Sequence, residues 1–190
     1  MWSCVGESPV HKGRNRIVLS DIVPGTQISA IFAGIQPPFV PEPNHTHRIG
    51  AKMYVAKHNP DNASLEVVPQ LGYNDGVTVL PYTTPSYEPT AAAPWLDYEL
   101  PAIAQDALLE VRMLPTLRIY EGRDARFAVS IDDAAPKVFS IHEGDYTSEW
   151  RWNVLRGYAR RFVTLPAGAH KVRIYLLDPA VTLEELVVRK

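Results

Sequence analysis

Residues 149–162, EWRWNVLRGYARRF, interleave Trp150, Trp152 and Tyr158 with Arg151, Arg156, Arg160 and Arg161 against a single acid, Glu149. Aromatic faces stack on the apolar faces of pyranose rings. Guanidinium groups pair bidentately with carboxylates such as a uronate, or with phosphates. Sugar binding, nucleic-acid binding and plain core closure are all chemically open to such a stretch. A second place for chemistry is Asp132-Asp133. Glycoside hydrolysis needs two carboxyls, about 5 Å apart for retention and further for inversion. Neighbouring acids on an extended chain point to opposite faces, and in a turn they serve the backbone instead. No G-x-S-x-G elbow accompanies Ser130 or Ser148 and no His is placed for a triad, so nucleophilic catalysis has no support. His45 and His47 alternate, with His58, Asn59 and Asp61 downstream. Imidazoles on one strand face suit Zn or Cu, but no Cys or His at ligand spacing completes the set, so a polar linker is the preferred reading.

The elements that must position these residues are bounded by composition. The chain has 190 residues, 46% hydrophobic and 21% charged, with 19 basic against 21 acidic groups and a net charge of -2. That balance gives no general attraction for a polyanion. The acids of HEGD (142–145), LEEL (183–186) and IDD (131–133) surround the arginines, and nucleic acid is set aside as a partner. No apolar run reaches membrane-spanning length, so no membrane partner is expected. Cys4 is the single cysteine and makes no internal disulfide, and the start MWSCVGESPV has no signal-peptide pattern. Asn44-His-Thr46 and Asn62-Ala-Ser64 are glycosylation sequons that matter only in a eukaryotic secretory pathway.

Seventeen prolines punctuate the chain. PPFVPEP (37–43) reads as a stiff connector. Before it, RIVLSD (16–21) and TQISAIFAGI (26–35) are two short strand-like runs around VPGT. After it, IGAKMYVA, LEVVPQL, GVTVLPY, WLDYEL, ALLEVRML, RFAVSI, PKVFSI, RRFVTL, HKVRIYLL and the ambiguous TLEELVV recur with Gly, Pro and Asp turns between them. This rhythm predicts an all-β chain folded as an antiparallel β-sandwich, with a short helix within 146–158. In WLDYEL, alternation turns Leu96, Tyr98 and Leu100 inward and leaves Trp95 and Asp97 outward. PYTTPSYEPTAAAP (81–94) is the longest stretch without strand character, and such a loop is either functional or disordered.

Taken in order, these motifs resemble the C-terminal β-sandwich module of family 115 glycoside hydrolases, the xylan α-1,2-glucuronidases. The resemblance runs over 48–190, through LEVVPQLGYNDGVTVLP, PWLDYEL, GRDARFAVSIDDAAPKV and EWRWNVL to LPAGAHKVRIYLLDPAVTLEELVV. It implies a jelly-roll, carbohydrate-binding-module-like fold in an accessory module of a secreted or periplasmic hemicellulose-degrading enzyme. The family's catalytic pocket lies in an upstream α/β domain, so no catalytic residue is expected in this chain. Residues 14–36 look like the last strands of the Ig-like domain that precedes the module in the family. Related modules begin their first strand with Glu-x-Glu, carboxylates that in some of them help hold a structural calcium. Gly50 and Lys52 stand at the matching positions here, while Glu184 remains on the last strand, expected to pair with Lys52 or face water. The family also repeats a Trp and an apolar residue at the places of Trp150 and Val154, which implies that this pair anchors a helical turn on the sandwich.

The chain therefore divides into 1–36, a partial Ig-like remnant or extra hairpin, a Pro-rich linker at 37–47, and the sandwich at 48–190. The expected role is non-catalytic: structural or oligomerising, with substrate capture as an addition. An independent module for acidic xylan is the alternative, and a divergent free-standing carbohydrate-active enzyme comes third. Partners are a xylan-type polysaccharide or the rest of a glycoside hydrolase, with a homodimer an open option. No cofactor and no metal is called for. The carbohydrate-binding candidates are Trp152, Arg156, Tyr158 and Trp95.

Overall fold

A computed structural model of the chain describes residues 2–4, 10–12, 17–19 and 28–30, and then 46–72, 76–119, 124–142 and 147–189. It divides into two units, Met1–Pro41 and Glu42–Lys190. The linker positions 37–45, with Asn44 and His45, lie outside the described residues.

In the first unit the strands are β1 (Trp2–Cys4), β2 (Val10–Lys12), β3 (Ile17–Leu19) and β4 (Ile28–Ala30). The two strand-like runs of the sequence hold β3 and β4. Each pairs antiparallel with an earlier strand, β3 with β2 and β4 with β1.

The second unit is built from β5 (Thr46–Gly50), β6 (Ala56–His58), β7 (Glu66–Pro69), β8 (Gly76–Val79), β9 (Trp95–Glu99), β10 (Ala107–Met113), β11 (Arg126–Ile131), β12 (Lys137–Ser140), α1 (Ser148–Arg156), β13 (Ala159–Leu165), β14 (Lys171–Leu176) and β15 (Thr182–Arg189). One sheet has the order β13-β10-β15-β8-β7, with β5 also paired to β15; the other runs β12-β11-β14-β9-β6. Every pairing in both sheets is antiparallel. TLEELVV, ambiguous in sequence, is the central strand β15, with β10 on one side and β5 and β8 sharing the other.

Alternation places the core as expected for stacked sheets. Leu96 and Tyr98, Leu109, Val111 and Met113, Phe127 and Val129, Val172 and Ile174, and Leu186 and Val188 are buried in one cluster, with Leu100 packed against it. The Tyr98 hydroxyl, inside this core, donates to the Ala51 carbonyl at 2.6 Å, and Thr78 Oγ1 donates to the same oxygen at 3.1 Å. These bonds fix the chain where it leaves β5. Burial raises the Tyr98 pKa well above its ordinary value, so the phenol stays a donor.

No helix among the described residues is long and apolar enough to cross a membrane.

Candidate functional site

The stretch EWRWNVLRGYARRF becomes α1 followed by the start of β13. Thr147 caps the helix by accepting from Trp150 N at 3.2 Å, Glu149 occupies the first turn and Arg156 the last. Gly157, at φ 80°, ends it with its N–H on Val154 O. The helix turns an unusual set of residues inward: Asn153 is 2% exposed, whereas Val154 is 46% and Leu155 66% exposed. Trp150 is half-buried, but Val154 does not share its anchoring role as the motif implied. Arg156 Nη2 reaches back to Asn153 Oδ1, which satisfies the buried amide, and to the exposed Glu149 Oε1 at 3.0 Å.

Three of the four sequence candidates fall on this stretch. Trp152 is half-buried on α1, four residues before Arg156. The Tyr158 ring lies 6.0 Å from the Arg156 guanidinium and 4.3 Å from that of Arg112, which comes from β10.

Trp95 is elsewhere, on the outer face of the other sheet. Arg173 from β14 lies 3.9 Å from its ring centroid, and His58 from β6 stacks on it at 5.8 Å with 25° between planes. These two strands flank β9 on opposite sides, so the indole is held between neighbours. Arg173 is itself fixed by a bidentate pair with Asp97, Nε to Oδ1 at 2.6 Å and Nη2 to Oδ2 at 2.8 Å. That carboxylate raises the Arg173 pKa further and keeps the cation in place.

Beside this group the 81–94 loop folds onto the same outer face. Tyr87 and Trp95 pack against Ala93, Ala128, Tyr175 and Leu177. Arg126 ties the loop down: it donates to Asp178 through Nε at 2.9 Å, to Tyr87 O at 3.3 Å, and pairs with Glu88 at 3.3 Å. The loop turns at Pro81–Thr84, where Thr84 Oγ1 donates to Pro81 O at 2.7 Å, and this turn presents Tyr82 at 64% exposure.

The acid pair forms a turn. Asp132 and Asp133 have φ of 47° and 63°. Asp132 Oδ1 accepts from Lys171 N at 2.9 Å, and Asp133 binds Lys171 Nζ at 2.7 Å. Both carboxylates hold the β13–β14 turn against β11. Lys171 lowers the Asp133 pKa by hydrogen bonding.

His47 is exposed on β5 opposite Val188, and among the described residues no group of three or more His, Cys, Asp or Glu could hold a metal ion. The place where the resemblance sets a calcium does not suit one. A hard cation takes several oxygen ligands; Gly50 has no side chain and Lys52 brings a positive charge.

A charge ladder on the outer face of the six-stranded sheet was not foreseen. Glu110 and Glu185 are fully buried there and Arg112 is 3% exposed, with Arg48 and Arg189 at the rim. The available signal was Glu110-Val-Arg112, opposite charges two apart on one strand face.

Two stacked antiparallel sheets closed by one short helix define a β-sandwich module, the class to which many carbohydrate-binding domains belong. The sequence matches the glycosyl hydrolase family 115 C-terminal domain over residues 42–190, and the chain belongs to that family. Among solved structures it is similar to a family GH115 4-O-methyl-alpha-glucuronidase, BtGH115A, with specificity for decorated arabinogalactans, at 24% identity and a TM-score of 0.55. That match covers 72% of this chain but 18% of the enzyme, so the chain spans about a fifth of that relative. Other similar structures are the C-terminal CBM6 of LamC, a laminarinase from Zobellia galactanivorans (14% identity, TM-score 0.45, 77% of this chain and 100% of that one). A family 35 carbohydrate-binding module from Clostridium thermocellum gives 12% identity and a TM-score of 0.48, over 76% of this chain and 98% of that one. No curated protein matches the chain.

Proposed function

We propose that residues 48–190 are a non-catalytic accessory module of a glucuronoxylan-degrading α-glucuronidase that is secreted or periplasmic. Its role is structural or oligomerising, with substrate capture added. The observation that carries this reading is the family match over 42–190, which covers the whole sandwich. The acids of the described turn agree with it: Asp132 and Asp133 spend their oxygens on the backbone and on Lys171. A divergent free-standing enzyme finds no support there.

A second reading, an independent binding module for acidic xylan, draws on α1. There Trp152 is partly exposed and stands one helical turn before Arg156, which neighbours Tyr158. In this reading Trp152 offers the stacking surface, and Arg156 and Tyr158 fix the orientation of the sugar. Trp95, on the other sheet, would serve a separate surface.

Affinity electrophoresis against glucuronoxylan, arabinoxylan, arabinogalactan and cellulose separates the two. Retardation by glucuronoxylan is expected if the chain captures substrate, and its absence on all four polymers leaves the structural role alone. Release of glucuronic acid by the purified chain would overturn the non-catalytic reading.

A further inference from the structure

Glu184 carries a carboxylate with no solvent exposure at a break in the β10–β15 ladder. Arg112 pairs with Glu185 and Met113 with Leu183, so Glu184 is the extra residue of a bulge. Its carbonyl accepts from Ala51 N at 3.0 Å. Its carboxylate lies against Gly72, close enough that a Cβ there would sit 2.7 Å from Cδ. Thr182 and Leu183 pair with Val79 and Thr78, which brings Glu184 beside the start of β8. At that start is Gly76, and a Cβ on it would meet Lys52 Cδ at 3.3 Å. Gly72, just after β7, and Gly76, the first residue of β8, therefore face a buried carboxylate and a lysine stem.

A carboxylate withdrawn from water needs a counter-charge or a proton. The Ala51 N–H on the Glu184 carbonyl sets the next residue, Lys52, beside this end of β15. The Lys52 stem reaches the first residue of β8, next to the pairing that brings Glu184 there.

We propose that the Lys52 ammonium is the built-in counter-charge of Glu184, closing the β5–β8–β15 corner without a divalent cation. The position where related modules supply carboxylates for calcium holds Gly50 and Lys52, so the chain brings its own positive charge to this corner. The inference stands apart from the carbohydrate reading and does not depend on it.

Thermal melting of the full chain tests it. The midpoint is expected to be the same in EDTA and in millimolar calcium. Lys52→Met is expected to lower it by about 5 °C. In a Glu184→Gln background the same substitution is expected to lower it by less than about half as much, since the two residues would act as one pair. If Lys52→Met does not fold, circular dichroism of Lys52→Arg and Lys52→Gln decides, with only the charged variant expected to fold. A midpoint raised by calcium in the unmodified chain would overturn the proposal. So would an equal loss from Lys52→Met in both backgrounds, or equal folding of the Arg and Gln variants.

Discussion

Arg112 bonds two buried acids at once: its Nε donates to Glu110 Oε1 at 2.8 Å on its own strand, and its Nη1 to Glu185 Oε1 at 2.5 Å on β15. Glu185 also accepts from Arg48 Nη1 at 2.8 Å, and Glu110 from Arg189 Nε at 2.7 Å. The ladder thus ties β10 to β15 and β15 to β5, on the sheet face opposite the core. Removing Arg112 leaves two buried carboxylates with one rim arginine each, Arg48 on Glu185 and Arg189 on Glu110, so the loss approaches that of a broken buried pair, about 3–5 kcal/mol. Arg112→Met is expected to destabilise the chain by about that amount in urea unfolding. A loss below about 1 kcal/mol would show that the ladder is relaxed by water.

The same ladder gives the acid side of the stability profile its shape. Burial alone would raise the Glu110 pKa, but hydrogen bonds and charge from Arg112 and Arg189 outweigh it and hold the carboxyl below its ordinary value. The unfolded chain then binds a proton that the folded chain does not. Stability from Glu110 is complete above the unfolded glutamate value of about 4.3 and is lost as pH falls through the lower folded value. Glu110→Gln is expected to be less stable near neutrality and to lose less on acidification. A steeper acid loss in the variant than in the parent, followed by denaturant midpoints across pH, would contradict this.

Much of the sandwich was legible because a strand with one core face must alternate. WLDYEL shows it: Leu96 and Tyr98 are buried, and Trp95 and Asp97 meet Arg173 on the outside. Less was legible in the candidate site. The partners of Trp95 are His58 and Arg173, brought together by strand pairings distant in sequence. In α1 the apolar residues gave the wrong face, since Asn153 enters through its bond to Arg156 and leaves Val154 outside. TLEELVV was ambiguous because a central strand that buries charge on its outer face shows no apolar alternation.

The two tryptophans of the candidate site should separate by substitution. Trp95 is held between Arg173 and His58 and packs on a small buried cluster. Trp95→Ala is expected to cost about 2–3 kcal/mol of stability, below the range for a fully buried indole. Trp152→Ala is expected to leave folding within about 1 kcal/mol and to weaken any retention by glucuronoxylan roughly tenfold. Circular dichroism melts paired with affinity gels check both. Loss of the fold in Trp152→Ala would move the anchoring role to that residue.

Two glycines separate steric need from backbone need. Gly72 and Gly168 both have left-handed backbones, φ +79° and +84°. At Gly168 nothing lies within 4 Å of a new Cβ, so Gly168→Ala carries only the conformational penalty, about 1 kcal/mol. At Gly72 the new Cβ would also collide with the Glu184 carboxylate, 2.7 Å from its Cδ. That carboxylate is enclosed and has no solvent to retreat into, so the β7–β8 connection must shift instead. Gly72→Ala is therefore expected to cost at least about 2 kcal/mol more than Gly168→Ala in urea unfolding. Combining Gly72→Ala with Glu184→Ala removes the collision and should recover part of that difference. Equal losses at the two glycines would mean that Glu184 swings aside at no cost, and that its enclosed position is not fixed by the fold.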